Sequence, residues 1–220
     1  MEENHNTELR KKMLEEQIAG RGIKDSRVLA AMEKVPRHLF VPESMRDRAY
    51  EDSPLPIGGE QTISQPYMVA WMTDLLHIGK DDRVLEVGTG SGYQAAILCE
   101  LAAYVYSIEK NPELAAGAEE MLRSLGYKNI SIKVGDGTKG WPEEAPFDGI
   151  IVTAGAPSVP QPLLDQLAEG GRLIIPVGSK TMQVLTVITR EVGKFQAKQE
   201  GSCVFVPLVG RFGWQKKRML

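Results

Sequence analysis

The alternation of short apolar segments with helix-forming segments, which begins at Asp82, constrains the fold of this chain more than any other feature. The segments typical of strands are RVLEVG, YVYSIE, NISIKVGDG, FDGIIVTAGA and RLIIPVG, and those typical of helices are YQAAILCELA, NPELAAGAEEMLRSLG and LLDQLAEGG. Such alternation predicts a parallel sheet covered on both faces, with ligands at the carboxyl ends of the strands. The later MQVLTVITREVGKFQAKQ is typical of a hairpin, so this α/β fold should acquire an antiparallel edge.

The first 80 residues are predicted to form short helices and loops. Apolar stripes at helical spacing run from Leu9 to Ile18 and from Val28 to Val35, and Asp25 can cap the second one. The stretch VPRHLFVPESMRDRAYEDSPLPIGGEQ is too rich in proline and glycine for long elements. A helix resumes at Pro66, and the segment before it, GGEQTISQ, carries more polar side chains than a helix cap requires.

Composition excludes several classes of protein. The net charge of −3 argues against nucleic acid as a partner, and only the tail QKKRML offers a local basic patch. The two cysteines are far apart, the three histidines are scattered, and no apolar run approaches membrane-spanning length. We therefore expect a cytoplasmic, metal-free, monomeric protein with no membrane or nucleic-acid partner.

The first strand of the alternating region runs into EVGTGSGY, which contains Gly88, Gly90 and Gly92. Glycines between a strand and a helix let the backbone approach a ligand closely and present amide groups to it. A dinucleotide fingerprint requires a glycine at the sixth position, where this chain has Tyr93, and the lysine–hydroxyl pair of a phosphate-binding P-loop is missing. The loop therefore predicts a ligand other than a dinucleotide or a hydrolysed nucleotide.

Two acidic residues follow the next strands. Glu109 lies 21 residues after Gly88, where a carboxylate accepts hydrogen bonds from ribose hydroxyls, and Asp136 in VGDGT can accept from an adenine amino group beside the open backbone of Gly137. Each acid alone is also compatible with a solvated loop or a helix cap. Their joint placement with the glycine loop favours an adenosine ligand without a pyrophosphate.

The segments LEVGTGSGY, SIEKNP and VGDGT resemble the binding motifs of the S-adenosylmethionine-dependent methyltransferases, which have a Rossmann-like fold. The resemblance implies that the glycine loop, including Glu86, holds the methionine part of the cofactor. It also implies that Glu109 holds the ribose and that Asp136 and Gly137 hold the adenine. S-Adenosylhomocysteine would be the product.

A more specific resemblance, from about Met13 to Trp214, is to the protein-L-isoaspartate (D-aspartate) O-methyltransferases. It is carried by EQTISQPYMVAWM, VPRHLFVP, FDGIIVTAGAPSVPQPLLDQLAEGGRLIIPVG and FVPLVGRFGW. It implies that Ser64 is the active-site serine beside the substrate carboxylate and that the backbone around Val206 holds the isoaspartyl peptide. The cofactor pocket would be lined by Gln61, Thr62, Ile63 and Ser64 and bordered by Val69 and Lys110.

The implied chemistry needs few side chains. A carboxylate is already ionised near pH 7, so methyl transfer from a sulfonium requires alignment and a dry site rather than a general base.

We expect one domain over residues 1–220: a helical lid region (1–80), a cofactor-binding core (81–180) and C-terminal strands that bind peptide (181–220). Three alternatives stay open: Ser64 as a helix cap, a methyltransferase with another acceptor, and a noncatalytic binding protein.

Overall fold

The N-terminal region is helical, as predicted. The computed structural model describes residues 2–215, so most of the basic tail lies outside the described residues. Helix α1 (Glu2–Lys12) continues into a π-helix (Met13–Ile18) and a 3₁₀ turn (Ala19–Arg21), and α2 (Ser26–Lys34) follows. The predicted cap of α2 is confirmed, because the Asp25 carboxylate accepts a hydrogen bond from the Arg27 N–H at 2.8 Å.

A small hairpin that the sequence did not predict leads into the next helix. After two 3₁₀ helices (Arg37–Phe40 and Glu43–Arg48), strands β1 (Leu55–Gly58) and β2 (Gln61–Ile63) pair antiparallel, and α3 (Pro66–Leu76) begins three residues later. The turn between the strands has positive φ at Gly58, Gly59 and Glu60 (91°, 56° and 59°), which explains the glycine pair. The hairpin thus fixes the position of the polar segment before α3.

The centre of the molecule is a seven-stranded sheet. Its strands are β3 (Arg83–Val87), β4 (Tyr104–Glu109), β5 (Ile130–Val134), β6 (Phe147–Val152), β7 (Leu167–Gly178), β8 (Gln183–Glu191) and β9 (Lys194–Cys203). Their spatial order is β5-β4-β3-β6-β7-β8-β9. The pairs from β5 to β7 are parallel, whereas β7–β8 and β8–β9 are antiparallel. Both the parallel core and the antiparallel edge are therefore confirmed.

Three helices connect the parallel strands: α4 (Tyr93–Cys99), α5 (Pro112–Ser124) and α6 (Gln161–Asp165). The Asn111 side chain caps α5 by accepting a hydrogen bond from the Glu113 N–H at 2.9 Å, and Pro112 occupies the first turn, as predicted. The helix predicted over LLDQLAEGG is wrong in its second half, because β7 already begins at Leu167. The glycine pair disfavours helix there: Gly170 has φ of 79°, and Gly171 packs against the backbone carbonyl of Asp148.

Both faces of the sheet are buried. Val84 and Leu85 are adjacent in β3 and both fully buried, yet they belong to separate apolar clusters, since successive side chains of a strand point to opposite faces. The cluster around Val84 includes the N-terminal helices, α3 and α4, and the cluster around Leu85 includes Leu163 of α6. Cys99 and Cys203 are free and buried. In residues 2–215, no helix is long and apolar enough to cross a bilayer.

Candidate active site

The glycine loop between β3 and α4 has the backbone geometry that its sequence predicts. Gly88, Gly90 and Gly92 have φ of 103°, 54° and 87°, in the left-handed region that side chains disfavour. A methyl group on Gly88 would also clash with the hydroxyl of Thr153, which donates a hydrogen bond to the Gly88 carbonyl at 2.7 Å. The loop is therefore held tightly against the end of β6, and only glycine fits at its first position.

Glu109 joins this loop to the connection after β4. Its carboxylate accepts hydrogen bonds from three backbone N–H groups: Gly90 at 2.9 Å, Lys110 at 2.8 Å and Asn111 at 2.8 Å. The side chain is largely buried at the carboxyl end of its strand. Glu109 thus lies beside the glycine loop, as the sequence predicted, and it also stabilises the backbone around it.

Glu86 lies beneath the glycine loop. It is fully buried and accepts a hydrogen bond from the Ser107 hydroxyl at 2.5 Å, and Ser107 Oγ is in turn 2.5 Å from Thr89 Oγ1. Burial raises the pKa of Glu86 from 4.5 to about 8, so its carboxyl is predominantly protonated at pH 7. Because it has no exposed surface, Glu86 supports the loop through Ser107 and Thr89 instead of facing the cavity described below.

Asp136 is surrounded by its own loop and by the C-terminal segment. Its carboxylate accepts hydrogen bonds from the Thr138 N–H (3.1 Å), the Thr138 hydroxyl (2.6 Å) and the Arg211 N–H (2.8 Å). Burial opposes ionisation here, but these hydrogen bonds outweigh it and lower the pKa of Asp136. Lys110 contacts the same segment, since its ammonium donates to the Val209 carbonyl at 3.0 Å. The predicted adenine-binding loop is thus covered by residues far away in sequence.

A cavity of about 40 Å³ lies between the glycine loop and the start of α3. Its walls are formed by Thr62, Ile63, Ser64, Val69, Gly88, Thr89, Gly90, Ser91, Tyr93, Gln94 and Thr153. Six predicted site residues are therefore brought together, whereas Gln61, Glu86, Gly92, Glu109, Lys110, Asp136 and Gly137 do not line this cavity. Drug-sized ligands occupy pockets of roughly 300 Å³ or more, so this cavity by itself is smaller than the space that a complete nucleoside fills.

Ser64 is not the cap of α3. The N-cap is Gln65, and its side chain makes no capping hydrogen bond, while Pro66 occupies the first turn. Among the described residues, the Ser64 hydroxyl has no hydrogen-bond partner. The alternative interpretation of Ser64 as a cap is therefore wrong, and its hydroxyl is available to a ligand.

A groove of about 370 Å³ adjoins this cavity. The two spaces share Thr62, Ser64 and Thr153, so a ligand in one would face a ligand in the other across these three side chains. The far wall is the extended segment Ser202–Val206, which includes the predicted peptide-binding residue Val206. In the part of the chain that the structure describes, both polar backbone groups of Val204 and the N–H of Val206 bond to no other backbone group. An extended peptide can therefore pair with them.

Comparison with known proteins shows the family of this chain. The family model for protein-L-isoaspartate(D-aspartate) O-methyltransferase matches residues 7–213. The chain belongs to this family. It is 57% identical over 206 residues to protein-L-isoaspartate O-methyltransferase 1 of Syntrophobacter fumaroxidans, covering 94% of this chain and 96% of that one.

Two further relatives extend the comparison. A protein-L-isoaspartate O-methyltransferase 2 of Geotalea uraniireducens is 58% identical over 206 residues, covering 93% of this chain and 95% of that one. A crystal structure from Plasmodium falciparum, described as a protein-L-isoaspartate O-methyltransferase in complex with S-adenosyl-L-homocysteine, superposes with a TM-score of 0.79 at 30% identity. That alignment covers 91% of this chain and 98% of the other, so the fold is shared over nearly the whole length.

Several residues of the site were not predicted from the sequence. Thr153 was missed, although it directly follows β6, and the rule that ligands lie at the carboxyl ends of parallel strands identifies that position. Tyr67 and Trp71 in the groove were missed as well, because at helical spacing they are equally typical of a core-facing stripe. In residues 2–215 no group of three or more histidines, cysteines or acids is arranged to hold a metal.

Proposed function

We propose that this protein transfers the methyl group of S-adenosyl-L-methionine to the free α-carboxylate of L-isoaspartyl and D-aspartyl residues in damaged proteins, with S-adenosyl-L-homocysteine as the product. The observation that carries the proposal is the shared wall of Thr62, Ser64 and Thr153 between the glycine-loop cavity and the peptide-sized groove. A methyl donor on one side and a carboxylate on the other meet at these side chains.

The polar groups and glycines of the site fit the chemistry of the cofactor. The glycines of the loop have left-handed backbone conformations and no side chains, so the loop backbone can approach the methionine part of the cofactor closely. Glu109 lies beside Gly90 and would accept hydrogen bonds from the ribose hydroxyls. Asp136 and Gly137 would bind the adenine. Asp136 would give up one of its present hydrogen bonds and accept one from the adenine amino group instead. Thr62, Ile63 and Val69 close the cavity, and Gln61 and Lys110 border it.

Ser64 orients the acceptor in this proposal. Its hydroxyl has no hydrogen-bond partner within residues 2–215, so it can donate to one carboxylate oxygen and hold the other toward the methyl group. The carboxylate attacks the methyl carbon while the carbon–sulfur bond breaks, and the positive and negative charges neutralise each other. No base is required, because the acceptor is already ionised near pH 7.

The groove explains how one enzyme accepts many damaged proteins. Hydrogen bonds from the backbone of Val204–Val206 would bind the extended backbone of the substrate, so they do not require a fixed set of substrate side chains. The methyl ester that forms has methoxide as its leaving group, which departs more readily than the oxide of a free carboxylate. The backbone nitrogen of the next residue can therefore attack the ester carbonyl and close a succinimide with release of methanol, and water opens this ring in part to normal aspartate. Isoaspartyl peptides and proteins are thus the partners, while a cytoplasmic location, a monomeric state and the absence of nucleic-acid binding stay predictions.

A pair of peptides that differ only in one L-isoaspartyl or normal L-aspartyl linkage tests the proposal. Each is incubated with the purified protein and S-adenosylmethionine, and mass spectrometry follows the peptide methyl ester and S-adenosylhomocysteine. We expect methylation of the isoaspartyl peptide alone. Cofactor binding without reaction of either peptide would refute the proposed acceptor and favour a methyltransferase with another substrate, or a binding protein.

A further inference from the structure

Three side chains of the groove are not used by the proposed reaction. Tyr67 and Trp71 lie one turn apart on α3 with their rings stacked, 5.9 Å between centroids at an interplanar angle of 25°. The Arg21 guanidinium lies over the Tyr67 ring, 3.5 Å from its centroid. All three line the same groove as Ser64 and Val206. We call them the aromatic shelf.

The aromatic shelf is anchored on both sides. The Trp71 indole packs so closely on Gly201 that a methyl group there would lie 2.9 Å from Trp71 Cη2. Gly201 lies where the β8–β9 register shifts, and such a bulge bends a strand. On the other side, Arg21 pairs with the Asp52 carboxylate at 2.8 Å. The indole therefore keeps a fixed position beside the peptide-binding segment.

The chemistry of the aromatic shelf favours an apolar side chain. Tyr67, Trp71 and Met68 supply apolar surface to the groove, and the charge of Arg21 is balanced by Asp52. Aromatic side chains stack well on such a surface, whereas a lysine would gain nothing beside a guanidinium. The exposed Val204, 73% accessible, lies on the facing wall and can cover the other side of an inserted ring.

From this arrangement we infer that the aromatic shelf is a specificity subsite, in which Trp71 and Tyr67 receive an aromatic or large aliphatic side chain flanking the isoaspartyl residue. This inference rests on the proposed function, because it needs the isoaspartyl carboxylate at Ser64. Neighbouring residues of an extended peptide are about 3.3 Å apart, so we expect the side chain on the shelf to come from a residue one or two positions away from the isoaspartyl residue. Backbone recognition at Val204–Val206 then sets the general affinity, and the shelf sets the sequence preference.

The test uses six isoaspartyl peptides: a parent, four phenylalanine variants and one lysine variant. The parent has only glycines around the isoaspartyl residue, and each phenylalanine variant carries one phenylalanine at one of the two positions before or after it. We expect kcat/KM to rise about tenfold for phenylalanine at one of these positions. Lysine at that position should give no gain. Methylation of none of the peptides would contradict the proposed function itself, whereas equal methylation of the parent and the four phenylalanine peptides would refute only the aromatic subsite.

Substitutions of aromatic residues in the enzyme test whether the preference for phenylalanine comes from the aromatic shelf. In Trp71→Ala, the ratio of kcat/KM for the phenylalanine peptide to kcat/KM for the glycine parent should fall from about ten to about one. Phe195→Ala is the matched control, because Phe195 is an exposed aromatic residue of β9 that does not line the groove, and it should keep the full gain. If Trp71→Ala fails to fold, Trp71→Leu keeps the buried edge apolar and removes the flat ring. A phenylalanine preference that survives in the folded Trp71 variant would overturn the inference.

Discussion

The buried carboxyl of Glu86 gives the sharpest prediction for stability. It has one hydrogen bond from Ser107, and its second oxygen, Oε1, has no partner among the described residues. Burial is the main reason that its pKa rises from 4.5 to about 8. Glu86→Gln replaces the carboxyl with a neutral amide of nearly the same shape, whose oxygen can still accept the hydrogen bond from Ser107. The substitution therefore removes the titratable group and keeps the packing and this hydrogen bond.

The sign of the effect follows from proton release. Below pH 4.5 both the folded and the unfolded chain hold the proton, so Glu86 adds no pH dependence. Between 4.5 and about 8 the unfolded chain releases the proton while the folded chain keeps it, and the wild type loses stability as the pH rises. At about 1.4 kcal/mol for each pH unit, the loss reaches up to about 5 kcal/mol over the whole window.

The assay is urea unfolding, followed by far-UV circular dichroism, at pH 5, 6, 7 and 8. We expect the stability of Glu86→Gln relative to wild type to increase by about 2.7 kcal/mol between pH 5 and pH 7. Glu120→Gln, an exposed substitution on α5, is the control and should track the wild type at every pH. A constant difference between Glu86→Gln and wild type across this range would refute a neutral Glu86 in the folded protein.

Three further substitutions test the cofactor and acceptor sites. Ser64→Ala should reduce kcat about 10- to 100-fold, since a hydrogen bond to a charged group is lost, with cofactor affinity by calorimetry nearly unchanged. Glu109→Gln should weaken cofactor binding at least tenfold, because an amide cannot accept all three backbone N–H groups. Gly88→Ala should destabilise the fold by at least about 1–2 kcal/mol in urea and abolish cofactor binding, because its φ is positive and Thr153 occupies the space.

Each of these substitutions has a matched control in α5. Ser124→Ala and Glu113→Gln change exposed side chains and should leave methylation and cofactor binding unaltered. Gly117→Ala adds a methyl group in open space on a helix and should stabilise the protein by about 1 kcal/mol. Full activity of Ser64→Ala would refute the role of Ser64 in the reaction. Unchanged cofactor affinity in Glu109→Gln would refute the contact between Glu109 and the ribose. A Gly88→Ala variant that is stable and binds the cofactor would contradict the steric argument.

Local patterns in the sequence predict the sheet and the glycine loop well. Each strand from β3 to β8 carries a continuous or alternating apolar run, and the glycines between β3 and α4 identify a turn that only they can form. The failure at α6 has a local cause, because the run of apolar and acidic residues before Gly170 favours a helix. Pairing of Leu167 with Phe147 in the sheet overrides that preference.

Contacts between distant parts of the chain could not be predicted in the same way. The cover over Asp136 comes from Arg211, 75 residues later, and it depends on a bend after β9 that leaves no periodic pattern. The packing of Trp71 on Gly201 likewise joins a helix to a strand whose register shifts at that point. Such contacts are set by the tertiary structure, so the residues of a binding site are predicted less completely than the elements that hold them.

The two glutamates near the glycine loop have different surroundings. Glu109 accepts from three backbone N–H groups, whereas Glu86 receives one hydroxyl and is fully buried. The proximity of Glu109 also raises the pKa of Glu86, after burial. A negative charge is therefore disfavoured on Glu86 beneath the loop. The loop can then stay closely packed over Glu86 while Glu109 remains a strong acceptor for the ligand.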